Sequence, residues 1–94
     1  MLNFGTAADL QWISSLRVVE FSVYDYDTGE PIVCRVSKEC ITANCGSPQT
    51  PEACLDAAKQ HFNQITDKVG HLIWAGRFEE AEPSKVILLK ESDW

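Results

Sequence analysis

Four cysteines, two histidines and a close group of carboxylates are the side chains of this sequence with the most chemistry in them. Thiolates and imidazoles form nucleophile–base pairs or metal sites only when the fold brings them within bonding reach. His61 and His71 lie ten residues apart, nearly three helical turns, whereas a helical metal site uses an i, i+4 pair. Cys54 precedes His61 by seven residues. That spacing puts both on one side of a helix but about 10 Å apart along it, too far for a thiolate–imidazole pair. Cys34, Cys40, Cys45 and Cys54 include no C-x-x-C pair.

Asp25, Asp27 and Glu30 could converge on a hard cation, because carboxylates two residues apart can share one. A calcium loop of the EF-hand kind would need its glycine one position beyond Gly29, and a carboxylate at its twelfth position, which is Val36. The segment is therefore read as a turn. No glycine-rich phosphate loop and no G-x-S-x-G elbow occurs. The sequence assigns no catalytic, cofactor-binding or metal-ligating residue and implies no cofactor. Trp12, Trp74 and Trp94, with Tyr24 and Tyr26, offer either a binding platform or cover for the core and its edges.

Length and composition bound what must position these groups. A chain of 94 residues has room for one domain around one core. An apolar fraction of 45% with 23% charged residues is the composition of a soluble globular chain. Nothing approaches the roughly 18 consecutive apolar residues of a spanning helix. Met1-Leu2-Asn3-Phe4-Gly5 also lacks the basic-then-apolar pattern of a secretory signal, so the cytoplasm is the expected compartment and free thiols the expected state. Fourteen acidic against eight basic residues give a net charge of −6, which argues against phosphate-backbone contacts and hence against a nucleic-acid partner.

Residues 1–16 mix Phe4, Leu10, Trp12, Ile13 and Leu16 without a clean period, an irregular or partly stranded lead-in. Val19, Phe21 and Val23 then alternate with Glu20 and Ser22, as a half-buried strand does. Ile32, Cys34 and Val36 repeat the pattern after the turn residues, so 18–36 reads as a hairpin. Ser37 is the expected N-cap of a short helix over 37–45, with Glu39 in its first turn and Gly46-Ser47-Pro48 ending it. Thr50-Pro51-Glu52 opens one long helix over 50–77. Its apolar stripe, Leu55, Ala58, Phe62, Ile65, Val69, Leu72 and Gly76, steps by three and four and suits either core packing or a seam between two chains. Gly70 within it leaves a kink or a close backbone contact open.

After the acidic linker Glu79-Glu80-Ala81-Glu82-Pro83, residues 85–90 read as a strand that is apolar on both faces at its centre. The expected architecture is α+β: a small antiparallel sheet of three strands, with room for a fourth, in the order β-β-α-α-β, with a short and a long helix on one face.

That succession resembles the bacterial family known as domain of unknown function 1488. The residues carrying the resemblance are Phe4 with Leu10-Gln11-Trp12, Val19-Glu20-Phe21, the run from Ile32 through Ile41, the helix from Pro51 through Ile73, and Val86-Ile87-Leu88-Leu89. It covers nearly the whole chain, and its motifs are hydrophobic patterns with a strand cysteine rather than a catalytic signature. The resemblance implies a small α+β protein with no established activity, so no functional residue is carried over. This chain departs from the family pattern in having Gln64-Ile65-Thr66-Asp67 where the long helix is usually acid-rich.

Three functions are compatible with these readings. The leading one is a non-enzymatic module that pairs with itself or with another protein through the long helix or a sheet edge. The second is an acidic regulator that captures a basic, nucleic-acid-handling protein through Asp25, Asp27, Glu79, Glu80 and Glu82. The third is a small-molecule binder or enzyme with a pocket invisible in sequence. No membrane role is expected.

Overall fold

The fold is that of a computed structural model describing residues 1–46, 48–81 and 84–94. The chain forms β1 (Leu2–Asn3), a 3-10 turn (Ala7–Asp9), β2 (Gln11–Ile13), β3 (Val18–Asp25), β4 (Glu30–Ser37), α1 (Lys38–Asn44), α2 (Pro51–Gln60), α3 (Phe62–Trp74), β5 (Lys85–Leu89) and a closing 3-10 turn (Glu91–Asp93). This is the expected α+β class.

The hairpin forms as its alternation predicts. β3 and β4 pair antiparallel with Val19 opposite Val36, Phe21 opposite Cys34 and Val23 opposite Ile32. All six are buried on the helix side. Glu20 and Arg35 face each other on the opposite side, Nε to Oε2 at 3.0 Å. The turn closes through Gly29, whose N–H donates to the Asp25 carbonyl at 2.8 Å with φ at 73°, a left-handed conformation that glycine adopts without strain.

Two features correct the expected sheet. Among the described residues it has five strands, because the lead-in supplies β1 and β2, which share the free side of β3: Leu2 lies opposite Asp25, and Trp12 opposite Val19. The sheet is also mixed rather than antiparallel, since β5 pairs parallel to β4 with Cys34 opposite Ile87. The reason is the path of the chain. The helical segment leaves the end of β4 and crosses back before β5 begins, as a parallel connection requires.

The predicted caps are present. Ser37 Oγ accepts from Cys40 N–H, and Thr50 Oγ1 accepts from Ala53 N–H, each at 3.1 Å, with Pro51 at the first helical position. The single long helix is corrected to two. His61, at φ −105° and ψ 21°, separates α2 from α3, and its Nδ1 lies 3.0 Å from the Ala57 carbonyl, so a side chain competes for the backbone ladder at the break. Backbone bonds continue across the break, from His61 N–H to Ala57 and from Ile65 N–H to His61.

The apolar stripe survives that break. Ala58, Ile65 and Val69 are fully buried and Leu72 nearly so, while Phe62 meets Phe21 edge-to-face at 5.8 Å. Gly76 is not a stripe member. It takes φ 71° just past α3, where Gly76 N–H bonds Ile73 and Arg77 N–H bonds Leu72, a Schellman closure that ends the helix before residue 77. The expected acidic linker is partly paired: Glu79 N–H donates to the Val86 carbonyl at 2.7 Å, and Val86 N–H to that of Glu80 at 2.8 Å. Ser47, Glu82 and Pro83 lie outside the described residues.

Candidate functional site

The four cysteines lie in the core. Cys34, Cys40, Cys45 and Cys54 are all free and buried. Burial pushes the Cys34 thiol up to about 12. It takes Cys40 to about 11, against a smaller downward pull from the Asn44 hydrogen bond, and raises Cys45 as well. A thiol held neutral is a poor nucleophile and a poor metal ligand. Cys34 Sγ instead points to the Ile32 carbonyl at 3.7 Å.

Several of the polar residues singled out above make local structural contacts. Asp25 Oδ1 accepts from Asp27 N–H at 2.9 Å, an Asx-type contact that shapes the hairpin turn. Asp27 pairs with the N-terminal ammonium of Met1. Glu30 is exposed at the start of β4. His61 engages the Ala57 carbonyl, and His71 stands on the surface with Nε2 3.7 Å from Asp67 Oδ1. Among the described residues no group of three or more His, Cys, Asp or Glu side chains is placed to hold a metal.

The five aromatic residues do not make one platform. Trp12 and Trp94 are partly buried against the core. Tyr24 and Tyr26 pair edge-to-face at 5.0 Å beside the hairpin turn, both exposed. Trp74, the last residue of α3, is 93% exposed, more than any other large apolar side chain of the described residues.

The helix face that carries Trp74 is one of several shallow depressions of the surface. Asn63, Thr66, Asp67, Gly70, His71 and Trp74 follow one another by three or one along α3, opposite the buried edge of Ile65, Val69 and Leu72. Phe4, from the loop after β1, lies against this face with its Cζ 3.4 Å from where a Cβ on Gly70 would stand. Together they bound an open groove of about 530 Å³. Sequence reasoning placed Trp74 in an undivided set of aromatics and missed the groove. The signal was present in its phase: Trp74 is two residues from Leu72, about 200° around the helix from the stripe.

A mixed sheet with helices on one face defines a two-layer α+β protein. No family model matches the sequence, and no curated protein sequence matches it. Among solved structures the chain is similar to a protein of unknown function from the DUF1488 family of Shewanella loihica PV-4, with a TM-score of 0.68 and 20% identity over 85% of this chain and 84% of that one. At that identity the likeness is one of fold. It agrees with the family resemblance drawn from the hydrophobic patterns of the sequence.

Proposed function

We propose that this chain is a small DUF1488-type module that works by binding protein rather than by catalysis, and that the outer face of α3 is its binding surface. One observation carries the reading: a tryptophan 93% exposed at the end of a helix, beside a shallow groove that Phe4 and Gly70 also line. Leaving an indole in water forgoes one of the largest apolar burials a side chain can make, and tryptophan is enriched among the residues that dominate binding energy. Cytoplasmic action as one domain is part of the proposal, supported by four cysteines left as thiols.

The test is a photo-crosslinking amino acid placed at position 74 in the native host, with a control at exposed Ser22 on the outer sheet face. Covalent protein adducts specific to position 74 are expected. Absence of adducts there, or the same adducts from both positions, would overturn the reading.

A further inference from the structure

We propose that the partner taken by this surface is a short acidic protein segment, which lays an apolar side chain on Trp74 and its carboxylates on Lys68 and Arg77. The inference rests on the interaction-module reading above and names the chemistry of the partner.

Trp74 stands between two grooves. On one side lie Phe4 and Gly70. On the other, a depression of about 540 Å³ is lined by Lys68, His71 and Trp74 of α3, by Arg77 beyond the helix closure, and by Asp93 of the closing turn.

The charges of this second groove differ in their access to water. The Arg77 side chain is 68% exposed, and Lys68 is half-buried with no carboxylate in ion-pair reach among the described residues. Asp93 is turned inward: its side chain is 12% exposed, and its Oδ2 accepts from the Lys90 N–H at 3.1 Å. Its Oδ1 lies 3.8 Å from Arg77 Nη2, a distance that leaves the guanidinium donors able to serve a second carboxylate. The exposed acid nearby is Asp67, 3.7 Å from His71 Nε2. A carboxylate arriving from solvent on the Asp93 side of Trp74 therefore meets Lys68 and Arg77 first.

That local excess of positive charge sits on a chain of net charge −6. A nucleic acid or an anionic membrane extends past the groove and meets the carboxylates of the remaining surface. A short segment senses charge over about 8 Å at physiological ionic strength, within a molecule measuring 37 × 22 × 22 Å, so the groove dominates what it feels. The contrast also supplies specificity, because an acidic segment is repelled by the rest of the surface and accepted here. Exposed ion pairs contribute little affinity by themselves. The indole at the groove's edge provides the apolar contact that they lack.

Titration of the purified chain into two dye-labelled peptides, followed by fluorescence anisotropy, tests this. One peptide is a run of glutamates around a single phenylalanine, and the other has lysine in place of each glutamate. The glutamate peptide should bind and the lysine peptide should not. Arg77→Glu and Lys68→Glu should each weaken the glutamate peptide by about 5-fold or more, and Trp74→Ala by about 10-fold, with melting temperatures confirming that each variant is folded. Lys59→Glu makes the same change of net charge on the exposed surface of α2 and should cost less than about 2-fold. Failure of the glutamate peptide to bind, equal binding of both peptides, or equal losses from Lys59→Glu and Arg77→Glu overturns the inference. Tighter capture of oligothymidylate or of phosphatidylglycerol vesicles than of the glutamate peptide overturns it too. If it falls while position 74 still crosslinks to protein in the host, the acidic segment is excluded and the interaction module stands.

Discussion

Burial of thiols is the clearest residue-scale statement of this structure, and its consequences run in a definite direction. The Cys34, Cys40 and Cys45 thiols have pKa values raised above their ordinary value of about 9. The unfolded chain therefore loses protons first as pH rises, and stability is complete below about pH 9 and falls from there toward pH 12. Denaturant unfolding across that interval should show the decline, and Cys34→Val should flatten it; a stability independent of pH there would contradict the burial. For the same reason, a thiol reagent at neutral pH should label none of the four cysteines rapidly in the native chain and all four in denaturant. The Glu20–Arg35 pair is a different case, because each side chain keeps 30% of its exposure. Water screens it, and a double-mutant cycle should give only about 0.2–1 kcal/mol.

At the scale of elements, helix ends and burial decide the outcome. Ile65 is fully buried in α3 under the sheet, so Ile65→Ala should lower stability by about 2–5 kcal/mol in denaturant unfolding. Gly76, at φ 71° in the closure of α3, should lose about 1 kcal/mol or more on replacement by alanine. Gly70, in a helical conformation, should change in the opposite sense, and the pair separates a glycine needed by the backbone from one that is not. The caps at Ser37 and Thr50 and the alternation of β3 and β4 were legible in sequence because each is a local pattern with a local cause. The break at His61 was not, because the apolar stripe keeps its phase across it and only the contact of the imidazole with the Ala57 carbonyl marks the place. β1 and β2 were hidden for a related reason: at two and three residues they are too short to show a period and exist by pairing with β3.

For the whole molecule, the parallel pairing of β5 with β4 depends on where the helical segment delivers the chain, which no local window of sequence contains. The inner face of the sheet and the inner faces of the helices were readable as hydrophobic period. The outer face of α3 was readable only as the place where Trp74 and Gly70 fall out of that period. No helix among the described residues is long and apolar enough to cross a membrane. The binding role of α3 thus turns on whether the groove around Trp74 is covered when the protein is at work. Hydroxyl-radical footprinting measures this directly, by comparing oxidation of Trp74 in the dilute purified chain with that in living cells, and using Tyr26, exposed at the hairpin, as the internal standard. Trp74 should be oxidised rapidly in dilute solution and be protected in cells relative to Tyr26. Equal relative oxidation of Trp74 in both settings would rule out a binding role for this face.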